Sequence, residues 1–332
     1  MSKILSYITK PASGEKIYFE VLVPENIESV TSQLPVVLFQ HGYGSNSVSH
    51  GFVLQAIASA GYVVVAPNRT DDFFCGTCGV VGFLSTCSCS AMATDGTSLM
   101  KALEFIKKKD NQWMEKADLE RISIMGFSMG GQEVIHMQAR AADEVKAIII
   151  LSGSVMLPLA TVIGWNACCQ PCAGGTCTLC SDTPVGLCGM PQAVRKWSVP
   201  SLFITSDFDA VKAGTYKLAD IAGGNDKTVV TFKDSALDLS FTNSMKSTSW
   251  GLFSQIACYG MPFHGIPRHF AIGGGEDNIP SVPIVAFLNK TFYGSDMESA
   301  IDKSKLYNEA LNTKAPDYCC SPFPLFIPCC EC

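Results

Sequence analysis

The run Arg121-Ile-Ser-Ile-Met-Gly-Phe-Ser-Met-Gly-Gly131 sets a serine between two glycines, G-x-S-x-G, directly after an apolar β-type run and directly before a helical pattern. That context suits a nucleophile. A sharp strand-to-helix turn would hold Ser128 in strained backbone geometry, and glycine on either side lets strand, turn and helix pack closely. The first N–H groups of the following helix would face developing negative charge.

A serine hydroxyl attacks only when a base takes its proton, and a carboxylate must hold that base, so both partners are sought downstream in the order Ser, Asp, His. The strand pattern Ser201 to Thr205 runs into Ser206-Asp207-Phe208-Asp209. Asp209 is the preferred acid, with Asp207 the alternative, since one of two neighbouring aspartates commonly forms the turn or caps a helix. Of five histidines, His41 and His50 precede the elbow and His136 lies on the helix after it. His269, in the turn-rich Gly265-Ile-Pro-Arg-His269-Phe270, is the preferred base, and His264 is the alternative. An apolar strand pattern also ends in Gln40-His41-Gly42-Tyr43-Gly44, the type of loop that supplies an oxyanion donor. The Tyr43 and Met129 N–H groups are the expected pair, with His41 a structural prop of the loop.

The elements that must position these groups are legible as apolar runs bounded by turn residues. Strands are expected at Ile17 to Val23, Pro35 to Gln40, Tyr62 to Ala66, Arg121 to Phe127, Val145 to Leu151, Ser201 to Thr205 and Thr228 to Phe232. Helical patterns at Phe52 to Ala60, Thr94 to Lys108, Gly130 to Arg140 and Ser281 to Phe292 alternate with them. The alternation predicts an α/β fold, a mainly parallel central sheet with helices on both faces. The antiparallel start, Ile17 to Val23, is expected as an edge hairpin. Residues 1–311 read as one catalytic domain, with Cys-rich insertions at about 71–90 and 165–191, followed by a Cys-rich tail over 312–332. The two insertions are long enough to form a lid.

Composition permits a large core: 47% of the 332 residues are hydrophobic and 16% charged, far from the signature of disorder. The net charge of -6 is mild and no basic run exceeds Lys107 to Lys109, so a nucleic-acid partner is not expected. The first residues carry no apolar stretch of signal-peptide type, and no stretch is long enough for a spanning helix. The expectation is a cytoplasmic or membrane-associated protein, with secretion requiring a leader beyond this sequence. Sixteen cysteines fall mainly in clusters. Disulfides are the first reading. Free or acylated thiols are the second, and a small zinc site at Cys169, Cys172, Cys177 and Cys180 the third. The tail cysteines, beside Phe323, Leu325, Phe326 and Ile327, could be S-acylated and give peripheral membrane contact.

Taken together, HGYG at His41 to Gly44, GFSMGG at Gly126 to Gly131, SDFDAV at Ser206 to Val211 and HF at His269 and Phe270 resemble the bacterial cutinase and polyester-hydrolase branch of the α/β-hydrolase superfamily. Its dienelactone-hydrolase-like and chlorophyllase-like relatives share the resemblance, which covers about Val36 to Phe292. It implies the α/β-hydrolase fold, Ser128 as nucleophile, Asp209 as acid, His269 as base, and Tyr43 with Met129 as oxyanion donors. Serine at 128 sets the chain apart from dienelactone hydrolases, which use cysteine there. Phe127 stands where the cutinase branch usually has histidine, and neither Ser154 nor Val155 offers that branch's stacking aromatic, so polyester cleavage is not expected.

The activity expected is cleavage of small-molecule or lipidic carboxylic esters through an acyl-enzyme, with no cofactor and no metal. Two rivals stand beside it: a catalytically silent binding protein on the same fold, and an amidase or peptidase.

Overall fold

The β-branched runs become strands because stiff side chains pack well on a pleated surface covered on both faces. In the computed structural model, residues 4–10, 17–42, 47–69, 96–109, 112–128, 130–153, 190–206, 212–232, 281–300 and 307–308 are described. The strands are β1 (Ile4–Ile8), β2 (Ile17–Pro24), β3 (Leu34–Gln40), β4 (Val63–Arg69), β5 (Ala117–Phe127), β6 (Val145–Leu151), β7 (Ser201–Ser206), β8 (Lys227–Phe232) and β9 (Tyr307–Asn308). They form a sheet in the order β1-β2-β4-β3-β5-β6-β7-β8-β9. The six central strands, β4-β3-β5-β6-β7-β8, are mutually parallel, and antiparallel pairs occur only toward the two edges.

The helices are α1 (Gly51–Ser59), α2 (Thr97–Lys107), α3 (Gln112–Glu115), α4 (Gly130–Arg140), α5 (Met190–Arg195), α6 (Lys212–Ile221), α7 (Ser281–Tyr293) and α8 (Met297–Ala300). They split between the two faces of the sheet. Alternate residues of β3 show why: Val36 and Leu38 join one core with α2, α4 and α6, while Val37 and Phe39 join a second core with α1 and α7. This is the two-sided burial that a parallel sheet requires, and it is the α/β-hydrolase arrangement.

Right-handed crossovers account for the split. The chain leaves β3 through α1 toward β4, and leaves β5 through α4 toward β6, so the two connections depart in opposite directions on opposite faces. The carboxyl ends of β3 and β5 therefore flank a topological switch point, the crevice where such sheets bind ligands.

Two strands, β1 and β5, depart from the sequence reading. The edge hairpin expected at Ile17 to Val23 is present, β2 pairing antiparallel from Ile4↔Pro24 to Ile8↔Glu20 with β1, the outermost strand, which was not itself expected. β1 exposes Tyr7 and Ile8, so its pattern is that of a half-wet edge rather than a buried run. β5 also begins earlier than expected, at Ala117: Ala117 and Asp118 pair with Leu34 and Pro35, and a register shift between Pro35 and Val36 leaves Leu119 to Arg121 as a bulge before the apolar run. Among the described residues, no helix is long and apolar enough to cross a membrane.

The second core depends on α7, whose Phe287 is fully buried among α1 and sheet side chains. Phe287→Ala should cost about 3–5 kcal/mol of stability, read as a lower urea midpoint at unchanged m-value.

Candidate active site

Ser128 follows the last residue of β5 and precedes α4 by one residue, and its φ is 54°, in the left-handed region that costs a side-chain-bearing residue about 1–3 kcal/mol. Three features hold it there. The Ser128 N–H donates to the Leu151 carbonyl of β6 at 2.9 Å, and the Gly131 N–H donates to the Ser128 carbonyl at 3.0 Å. The flanking glycines permit a packing that no other residue would allow. A Cβ on Gly126 would be driven into the Gly130 carbonyl, and one on Gly130 into the Gln40 carbonyl and to 2.8 Å from the His41 carbonyl. The turn is thus wedged between its own helix and the end of β3.

The same packing brings the loop after β3 to the serine. A Cβ built on Gly42 would lie 2.9 Å from the Ser128 Cβ, and β3 and β5 run in register with Gln40 opposite Gly126. Ser128 is buried, 8% exposed. Ser152, at the carboxyl end of β6, is also left-handed, with φ 47°, and its N–H donates to the Ile204 carbonyl of β7 at 2.7 Å. The Gly153 carbonyl beyond it accepts from the Thr215 hydroxyl of α6 at 2.8 Å. α6 begins directly after residues 207–211, so this bond ties the helix that follows Asp207 and Asp209 to the strand beside the elbow.

Two histidines lie close to the elbow as structural groups. His41 is buried and its Nδ1–H donates to the Gly42 carbonyl at 2.9 Å, bracing the loop as the sequence suggested. His50 sits between the rings of Phe39 and Phe127, at centroid distances of 5.1 and 5.0 Å. Burial, and then the nearby His41, push its pKa from 6.5 down to about 3. α4 itself is buried from Gly130 to Gln138, including Gln132, Glu133 and His136, and α2 starts hard against it: a Cβ on Gly96 would lie 2.8 Å from the Met137 nitrogen.

Of the expected site residues, Ser128 is at the elbow with Gly42 beside it. Tyr43, Met129, Asp207, Asp209, His264 and His269 lie outside the described residues, as do the two insertions, the tail and all sixteen cysteines. Among the described residues, no cluster of His, Cys, Asp or Glu could hold a metal ion. The polar group formed by Glu20, Ser47 and Asn68 was not anticipated. Its trace in the sequence is a glutamate and an asparagine within mainly apolar strands.

Comparison with known proteins decides the family. The chlorophyllase family model matches residues 21–215, more than half of the chain and the stretch that holds β3, the elbow and the start of α6. The chain belongs to the chlorophyllase family. Of the relatives that the motifs resemble, this is the one the match supports, and it makes the chain an α/β-fold hydrolase. A search of curated proteins finds no match. Among solved structures, the chain is similar to dienelactone hydrolase from Anabaena variabilis ATCC 29413, with 15% identity, 79% of this chain and 99% of that one covered, and a TM-score of 0.46.

The depressed His50 pKa has a consequence for stability. Between about 3 and 6.5 the unfolded chain binds a proton at this imidazole that the folded chain refuses. The contribution of neutral His50 is therefore complete above 6.5 and is lost as pH falls through that window, at up to about 1.4 kcal/mol per pH unit. Denaturant unfolding between pH 7 and pH 4 should show this slope in the wild type and a flatter one in His50→Gln.

Proposed function

We propose that this chlorophyllase-family protein is a serine hydrolase of carboxylic esters that works through an acyl-enzyme. Ser128 Oγ attacks the ester carbonyl as His269 takes its proton; Asp209 holds the resulting imidazolium; the Tyr43 and Met129 N–H groups receive the oxyanion. His269 then protonates the leaving alcohol. Water, activated by the same imidazole, attacks the acyl-enzyme, releasing the acid and restoring Ser128.

The observation that carries this reading is the left-handed backbone at Ser128, held by close packing of Gly130 on β3 with Gly42 against its Cβ. Strain that the surroundings must maintain is hard to account for in a serine that does nothing. The same turn places the serine at the switch-point crevice and at the head of α4, where the helix dipole favours an oxyanion. β7, which leads into Asp207 and Asp209, lies two strands from β5, a lateral distance of about 10 Å that an acid and an imidazole together can bridge. Glycine-permitted contact of β3 with the elbow supports Tyr43 as the second oxyanion donor. The family description and the apolar character of the sequence favour an ester with a hydrophobic acyl or alcohol part.

The test is a panel of p-nitrophenyl esters of increasing acyl length, with the matching anilides, on wild type and Ser128→Ala. Ester turnover that exceeds anilide turnover and falls at least about a thousandfold in Ser128→Ala is the expected result. Equal turnover by the variant would refute the assignment.

A further inference from the structure

β2 and β4 are mainly apolar on both faces, and on the face covered by α1 two polar residues interrupt them. There Glu20 stands in line with Leu22, and Asn68 in line with Val64 and Ala66. Both are buried, 9% and 1% exposed, and both turn to Ser47, which is fully buried at the start of the short 3-10 turn Ser47–His50. The Asn68 side chain grips Ser47 twice: Oδ1 accepts from the Ser47 N–H at 2.8 Å, and Nδ2 donates to the Ser47 hydroxyl at 2.6 Å. The Ser47 hydroxyl in turn donates to Glu20 Oε2, and Ser6 of β1 donates to Glu20 Oε1 at 3.3 Å.

Burying a carboxyl group and an amide in an apolar core is costly unless every bond is made, and a leucine pair would fill the same space without that requirement. The network has a specific location that gives it a use. Ser47 ends the loop that leaves β3, and the loop's other end, Gly42, is packed against Ser128. Tyr43, the assigned oxyanion donor, lies between these two anchors. A donor amide must sit within a few tenths of an ångström of where the oxyanion forms, and a loop fixed at one end only would not hold it.

We propose that Glu20, Ser47 and Asn68 are positioning residues that fix the far anchor of the oxyanion loop, so that they govern transition-state stabilisation rather than substrate binding. This rests on the reading of Ser128 and Tyr43 given above.

Ser47→Ala removes the hydroxyl that links Glu20 to Asn68. It should lower kcat roughly tenfold with KM within about twofold of wild type, and weaken an alkyl boronic acid, which forms a tetrahedral adduct on the serine, by the same factor as kcat/KM. Glu20→Gln, which leaves an acceptor for Ser47, should move kcat and boronate affinity in the same direction by a smaller factor, and serves if Ser47→Ala does not fold. A folded variant with wild-type kcat, a loss carried by KM, or unchanged boronate affinity would overturn the proposal. Wild type that turns over esters and loses them in Ser128→Ala but not in Ser47→Ala sinks the network alone. Ester turnover that survives Ser128→Ala sinks the reading of the site beneath it.

Discussion

Two missing side chains determine where everything else in this site must lie. Because Gly126 and Gly130 carry no Cβ, β5 can turn into α4 within two residues, and α4 can start against the last carbonyls of β3. Any larger residue would push the helix away from the strand, relax the turn and withdraw Ser128 from its left-handed backbone. The strain at Ser128 is sustained by that contact, by the Leu151 carbonyl that accepts its N–H, and by the depth of the two cores on which the strands rest.

The contact also organises the surroundings. With β3 and β5 held in register from Val36 to Gln40, the chain after β3 begins against the elbow, with Gly42 beside the Ser128 Cβ. On the face of α1 the core accepts groups that an apolar core would ordinarily reject. His50 is lodged between Phe39 and Phe127, kept neutral by burial, and Ser47 is bound to Glu20 and Asn68. Both groups lie on the 3-10 turn that closes the loop. The charged and amide groups buried on that face thus gather on the turn that follows the loop.

Much of this architecture could be read from residue types. The central strands are runs such as VVLF, VVVA, AIIIL and SLFIT, whose β-branched and aromatic residues suit a sheet covered on both faces, and the elbow announces itself by glycines at fixed offsets from a serine. What escaped has identifiable causes. β1 exposes Tyr7 and Ile8 and so lacks a buried pattern; the start of β5 is cut off from its apolar run by Leu119 to Arg121, which a register shift leaves unpaired with β3. α5 and α6 are short helices, and α6 contains a glycine, so neither has a strong helical period. The left-handed Ser152 sits in a sequence that resembles any strand end. The Glu20, Ser47 and Asn68 group is assembled by strand pairing across segments far apart in the chain, and no local spacing encodes it.

The account stands on the claim that the strained turn presents Ser128 as the nucleophile of the protein. Peptide mapping by mass spectrometry after treatment with an alkyl fluorophosphonate reads this directly, since the reagent phosphonylates the serine that a base activates. The account predicts a single stoichiometric adduct on the peptide containing Ser128, absent when the protein is first unfolded. An adduct on a different serine, or none on the folded protein, would contradict it.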